Sequence, residues 1–245
     1  PQGIVVVTFN RPEVRNALDR QMIDELHGLL DTIRDDRAVR AVIFCGAGDK
    51  AFTGGADIAQ LRERKSADAL RRINAALFRR VEQLPMPTIA AIRGYCLGGG
   101  CEIATACDIR VAGEGAKLGQ PEVGLGIIPG AGGCYRLPRL VGWGRARELI
   151  FTGRIIDAAE ALRIGLVERV VPDAEVLDAA RALASEIAAN SPLAVRLAKA
   201  VLGGQGEMSV DVGLAFESAA QAICFDDEEK HRRMTAFVER SKQRG

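Results

Sequence analysis

Apolar residues come in short, near-continuous blocks through the first half of the chain and recur every three or four positions through the last third. Residues 4–9 (IVVVTF) predict a strand. From Asp19 to Ile33 the spacing of Met22, Leu26, Leu29, Leu30 and Ile33 predicts an amphipathic helix, with Asp19 as its N-cap. AVRAVIFCG (38–46) predicts a second strand that ends in glycine. Ser66 to Leu84 predicts one helix with Leu70, Ile73, Leu77, Val81 and Leu84 on a single face, stopped by Pro85 and Pro87. TIAAIRG (88–94) predicts a third strand, apolar on both faces and therefore buried between two layers.

Two of these blocks repeat. Ile43-Phe44-Cys45-Gly46 leads to Gly54-Gly55-Ala56-Asp57, and Ile89 to Gly94 leads to Gly98-Gly99-Gly100-Cys101-Glu102. Each is a buried strand, a glycine exit and a glycine-rich turn that opens a helix, an imperfect repeat of one strand–turn–helix unit. After about residue 140 helical periodicity dominates, over 143–151, 157–164, 177–189, 192–203, 208–224 and 227–240, with a short strand near Val167–Val171. The expected organisation is an α/β core carrying the active site over residues 1–190 and a helical C-terminal region over 191–245.

At 245 residues, 48% hydrophobic and 27% charged, the composition is that of a soluble globular protein. A net charge of +1 gives no electrostatic case for nucleic acid or an anionic membrane. No apolar run approaches the ~20 residues that span a bilayer, and no signal peptide opens the sequence. The chain starts at Pro1 and enters its first strand at once, the mark of a trimmed chain whose leader or first strand can be missing. Six cysteines show no C-x-x-C pair and only two histidines accompany them, which argues against a metal site and for buried free thiols in a reducing compartment. Arginine outnumbers lysine 27 to 6, pointing to a GC-rich bacterial genome. The expected compartment is the bacterial cytoplasm, or the mitochondrial matrix for a eukaryotic chain.

Serine-hydrolase chemistry needs an activated serine beside a histidine, yet no G-x-S-x-G occurs and neither His27 nor His231 lies near a glycine-rich turn. Nucleotide-binding glycine motifs are also missing; GLGIIPG (124–130) comes near but contains Pro129. Carboxylates among glycines remain: Glu102 behind one glycine cluster, and Glu122 inside LGQPEVGLGIIPGAGG (118–133). Flanked by Cys101, Ile103 and Ala104, Glu102 is expected to be at least partly buried, and burial raises a carboxyl pKa toward the range of a neutral-pH acid or base. A helix N-terminal carboxylate stabilised by the dipole accounts equally well for this residue taken alone. The two glycine turns supply the complement. Free N–H groups of Ala56 and Gly99, one from each repeat, form an oxyanion hole if they converge.

Six stretches together resemble the enoyl-CoA hydratase/isomerase, or crotonase, family: NRPEVRNAL (10–18), FTGGADI (52–58), PTIAAIRGYCLGGGCEIATACDIRVAG (87–113), LGQPEVGLGIIPGAGGCYRLPRLVG (118–142), ARELIFTGRIIDAAEALRIGLVERVV (146–171) and MTAFVERSK (234–242). The resemblance covers essentially the whole chain. It implies an α/β spiral of repeated β-β-α units with a helical C-terminal region used for trimerisation, often in hexamers built as dimers of trimers. It also implies a thioester carbonyl held by the N–H groups of Ala56 and Gly99, and two catalytic glutamates at Glu102 and Glu122. Both glutamates would hold water for addition across a 2,3-double bond, with Glu122 the main proton donor to C2. The coenzyme A path would run along Val14, Ala17, Ala56, Asp57, Ile58, Gly98 and Gly99, with Lys50 on the phosphate side. Phe237 and Arg240 would reach the coenzyme A of a neighbouring subunit. No cofactor is implied, coenzyme A being part of the acyl-CoA substrate. Many relatives carry lysine right after GADI; here it is Ala59, so that phosphate contact is missing or supplied by Arg62 or Arg64.

The nearest alternative is a hydratase of a branched or carboxylated enoyl-CoA such as 3-methylglutaconyl-CoA, to which PTIAAI, ACDIRVA and RELIF are also similar. A Δ3,Δ2-enoyl-CoA isomerase fits less well with both glutamates present. One relative binds AU-rich RNA through a lysine-rich first helix, but residues 19–37 hold six acidic residues against three arginines here. The pairs Arg71-Arg72 and Arg79-Arg80 read as a solvated helix face.

Overall fold

A computed structural model describes residues 3–204 and 208–242. In chain order the first half runs β1 (Ile4–Phe9), α1 (Arg20–Asp35), β2 (Ala41–Gly46), β3 (Ala51–Thr53), α2 (Ile58–Glu63), α3 (Ser66–Leu70), α4 (Ile73–Glu82), β4 (Thr88–Ile92), β5 (Tyr95–Leu97) and α5 (Gly99–Ala106). It continues through β6 (Ile109–Gly113), β7 (Lys117–Gly119), α6 (Gly133–Val141), α7 (Trp143–Thr152), β8 (Ile155–Asp157), α8 (Ala158–Arg163) and β9 (Arg169–Val171). Helices α9 (Val176–Ala188), α10 (Pro192–Gly204), α11 (Val210–Phe225) and α12 (Glu228–Lys242) complete it.

Strands β1-β2-β4-β6-β9 form one sheet, parallel throughout. Both of its faces are covered, which explains the unbroken apolar runs of β2 and β4. Val42, Phe44, Ala90, Ile92 and Ala112 face the main core, whereas Ala41, Ile43, Ile89, Ala91 and Val111 pack on Val176, Ala180, Leu183 and Ala184 of α9. Strands β3-β5-β7-β8 form a second sheet, with only β8 antiparallel.

The chain thus winds three times from the first sheet to the second: β2 to β3, β4 to β5, β6 to β7. This is the spiral of β-β units that the family resemblance implies, and the two-fold repeat seen in the sequence is its first two turns. Because β3, β5 and β7 run parallel (Thr53↔Cys96 after a one-residue register shift, Leu97↔Gly119), the loops that follow them emerge along one edge. That edge gathers Gly54–Asp57, Gly98–Gly99 and Gln120–Glu122 into one place.

Two sequence expectations need correction. The single helix over Ser66–Leu84 is broken into α3 and α4 by Arg72, which takes the left-handed conformation at φ 53°. Leu70, placed by periodicity on the buried face, is 82% exposed. The cysteines are all free, as expected, but only Cys96, Cys101 and Cys107 are buried; Cys45 and Cys224 are half-buried and Cys134 is exposed. Among the described residues no helix is long and apolar enough to cross a membrane. Helix α10 is pinned to the core by Lys199, whose Nζ reaches Asp108 Oδ2 at 2.6 Å and the Met86 carbonyl at 3.0 Å.

Candidate active site

The first turn is held from outside. Leu18 N–H donates to the Gly55 carbonyl at 2.8 Å and Asp57 N–H donates to the Leu18 carbonyl at 3.0 Å. In such a parallel bridge the residue between, Ala56, directs its own N–H and carbonyl the other way. The 11–18 loop that makes this bridge is itself fixed by buried Asn16, whose Nδ2 donates to the Ala47 and Ala51 carbonyls at 3.0 and 2.8 Å. Arg11 ties the same corner together, reaching the Ala17 carbonyl at 2.8 Å, Asp19 at 3.2 Å and Asp57 at 3.4 Å.

The second turn ends at Gly98, the N-cap of α5, with φ 53° and ψ −123°, a backbone conformation open to glycine. Its N–H is taken by the Gly119 carbonyl at 2.9 Å, so Gly99 is the next donor in line. Close approach of the two turns needs glycine too: a Cβ on Gly100 would lie 2.1 Å from the Thr53 carbonyl oxygen. A Cβ on Gly99 would lie 3.3 Å from the Ala56 nitrogen, which places the two amides side by side. Among the described residues no acceptor takes the N–H of Ala56 or of Gly99.

Both glutamates are buried beside these amides, Glu102 at 3% and Glu122 at 8% exposure. Glu102 lies one turn into α5, and its Oε1 accepts from the N–H groups of Ala131 and Gly133 at 2.7 and 2.8 Å. Burial pushes its pKa up, and these two N–H groups together with the Arg136 charge hold it back. Glu122 sits on the single-turn helix Pro121–Leu125 after β7, with its Oε1 3.0 Å from where a Cβ on Gly98 would be. Burial pushes its carboxyl up to about 7; its own backbone N–H opposes the shift and the Glu102 charge adds to it. With its amide turned so that nitrogen faces Glu122, buried Gln120 donates to both carboxylate oxygens at 3.0 and 3.1 Å.

Ala56, Ile58, Gly98, Gly99, Glu102 and Glu122 all line one cleft of about 690 Å³. Its far walls come from α2 to α4 on one side and Leu125 to Ala131 on the other. Arg64, the candidate phosphate contact, lines it as well, whereas Arg62 and the remaining candidates do not. Val14 and Ala17 lie on the loop that braces the Ala56 turn, and Asp57 caps α2 through the N–H groups of Ala59 and Gln60. Lys50 is exposed between β2 and β3. Phe237 and Arg240 are exposed on α12. Sequence reasoning missed Gln120, Arg136 and the paired N–H groups of Ala131 and Gly133. The glycine run after Pro129 was their one signal.

The enoyl-CoA hydratase/isomerase family model matches residues 1–244. A short-chain-enoyl-CoA hydratase of Clostridium acetobutylicum is 47% identical over 244 residues, 99% of this chain and 94% of that protein. A crotonyl-CoA hydratase of Syntrophomonas wolfei is 42% identical over 243 residues, 98% of this chain and 94% of that protein. The crystal structure of an enoyl-CoA hydratase from Bacillus anthracis superposes with a TM-score of 0.95 at 41% identity, covering 98% of this chain and 94% of that one.

Proposed function

This chain belongs to the enoyl-CoA hydratase/isomerase family, and from that premise we propose that it is an enoyl-CoA hydratase, a hydro-lyase adding water across the 2,3-double bond of a trans-2-enoyl-CoA. The thioester oxygen accepts from the N–H groups of Ala56 and Gly99, which stabilise the charge it gains as the enolate forms. Water is held at C3 between Glu102 and Glu122. Ionised Glu102 takes a proton from the water as the O–C3 bond forms, and protonated Glu122 gives a proton to C2; one water is added in all, and transfer of a proton from Glu102 to Glu122 through solvent restores the starting pair. A Glu122 carboxyl shifted to about 7 keeps a large share of its protons at neutral pH, as a proton donor requires. The two carboxyls interact and titrate as a pair.

The observation that carries this reading is the opening of two unclaimed N–H groups and two buried carboxylates into one cleft. Crotonyl-CoA hydration, followed by loss of the enoyl absorbance, tests it. Glu122→Gln is expected to abolish nearly all turnover while retaining the fold, and wild-type turnover in that variant would remove the mechanism. The relatives named for short-chain and crotonyl substrates support a short acyl chain over a branched or carboxylated one. A panel of C4 to C16 enoyl-CoAs reads this directly.

The proposal extends to a homotrimer, alone or paired as a hexamer, acting in the bacterial cytoplasm with coenzyme A entering only as part of the substrate. Exposed apolar side chains on α11 and α12, among them Val210, Phe225, Met234 and Phe237, support assembly through this region. Light scattering on the purified protein gives the subunit count.

A further inference from the structure

The loop that clamps Glu102 is itself held by a side chain with no place in the scheme above. Ala131 and Gly133 present their N–H groups to Glu102 Oε1, and the Ala131 carbonyl, on the peptide that joins Ala131 to Gly132, lies in the same short loop. That carbonyl accepts from Arg136 Nη1 at 3.1 Å. Arg136 is buried on α6, and its Nη2 donates to Glu82 Oε2 at 3.0 Å. Glu82, on α4, receives a second bond on the same oxygen from Arg79 at 2.8 Å. The fit is close: Gly132 sits at φ 115°, where side chains are strained, and a Cβ there would lie 2.1 Å from Arg136 Nη1, so it would displace the guanidinium.

We propose that Arg136 is a positioning residue for Glu102: by holding the Ala131 carbonyl it fixes both N–H groups that grip the carboxylate, and Glu82 in turn holds Arg136. The guanidinium fork suits this task because one plane reaches a carbonyl and a carboxylate in fixed directions. A lysine ammonium would serve one at a time. The device rests on the assignment of Glu102 to the reaction.

Charge acts along the same line. Burial works to raise the Glu82 carboxyl, but hydrogen bonds from Arg136 and Arg79 and their charges outweigh it and leave it below its ordinary value, so Glu82 meets Arg136 as a carboxylate at neutral pH. The groups facing Glu102 are Arg136 on α6, the Cys134 thiol at the start of α6, and Glu122 on the turn after β7. Arg136 is the one cation among them. Removing it withdraws both a positive charge and the support of two N–H donors from Glu102, and each loss favours the protonated carboxyl.

The test compares kcat/KM against pH for crotonyl-CoA hydration in wild type, Arg136→Gln, Glu82→Gln and Glu102→Gln. In Arg136→Gln we expect kcat to fall about tenfold to hundredfold, KM to stay within about twofold, and the acid limb to move up by about one pH unit. Glu82→Gln should move that limb the same way by less. A folded Arg136→Gln whose acid limb stays in place, whatever its rate, overturns the proposal, because a merely structural arginine would lower stability without shifting the limb. Should Arg136→Gln fail to fold, Glu82→Gln decides on the same criterion, being half-exposed and isosteric. Wild-type turnover in Glu102→Gln would sink the role of Glu102 and the clamp with it, whereas an unmoved limb beside an inactive Glu102→Gln sinks the clamp alone.

Discussion

A methyl group on Gly99 would stand 3.3 Å from the amide nitrogen of Ala56, although the two residues belong to different turns of the spiral. The site therefore depends on a bare Cα at position 99, while for the fold φ there is not positive and a 3.3 Å contact asks the Ala56 turn to give by only a few tenths of an ångström. Gly99→Ala is expected to fold with a melting temperature near that of wild type and to lose on the order of a hundredfold in kcat, as the methyl crowds the oxygen from its donors. Gly100→Ala is the contrast. Its methyl would meet the Thr53 carbonyl at 2.1 Å, so β3 and α5 must part, at a cost of about 1–3 kcal/mol or more. Melting curves and initial rates on both variants separate the two effects.

Glu122 links activity to stability through pH. Its carboxyl rises from the ordinary 4.5 to about 7 on folding, so the folded protein retains a proton that the unfolded chain releases across that window. Stability consequently falls as pH climbs from about 4.5 to 7 and stays lowered above it. Glu122→Gln removes this cost. The variant is expected to melt a few degrees above wild type at pH 8 and to coincide with it at pH 4, while its turnover is nearly gone. Equal melting temperatures at pH 8 would contradict the raised carboxyl.

How legible was this site beforehand? The donors Ala56 and Gly99 could be read because the chain repeats a strand, a glycine exit and a glycine-rich turn, and repetition is visible in one dimension. Glu102 and Glu122 stood out as carboxylates among glycines. The clamp on Glu102 could not be read: Ala131 and Gly133 act through backbone N–H groups, 29 and 31 residues away, and any residue has a backbone. The strands β3, β5, β7 and β8 were equally invisible, because three residues do not establish a period of two. The break at Arg72 escaped for another reason. Leu70 and Ile73 keep helical spacing through it, and nothing in the residue type of Arg72 announces a left-handed φ.

Asn16 shows how far support for the Ala56 turn extends. At φ 56° it occupies a conformation that asparagine tolerates better than most residues, and its amide fills two carbonyls while its oxygen takes the Arg11 N–H at 3.0 Å. Asn16→Ala removes the donor to the buried Ala51 carbonyl and to the partly buried Ala47 carbonyl and is expected to cost about 2–4 kcal/mol. Asn16→Asp should cost more, since a carboxylate facing two carbonyls can donate nothing. Urea unfolding measures both. If either variant folds well enough to assay, its kcat should fall, because Leu18 and the Ala56 turn shift together.

Phe237 and Arg240 stand on α12, away from the cleft of their own chain. Phe237 is 67% exposed on α12, and neither residue lines the cavity that holds the glutamates. In the proposed assembly they meet coenzyme A in a neighbouring subunit, at the nucleotide end of the substrate and not at the double bond. Each of Phe237→Ala and Arg240→Ala should then raise KM for crotonyl-CoA, about tenfold for the arginine if it pairs with a phosphate, and leave kcat unchanged. The same variants should behave as wild type toward crotonyl-pantetheine, which has the thioester but lacks the nucleotide. A loss of kcat, or an equal rise in KM on the truncated substrate, would mean instead that α12 acts through assembly of the subunits.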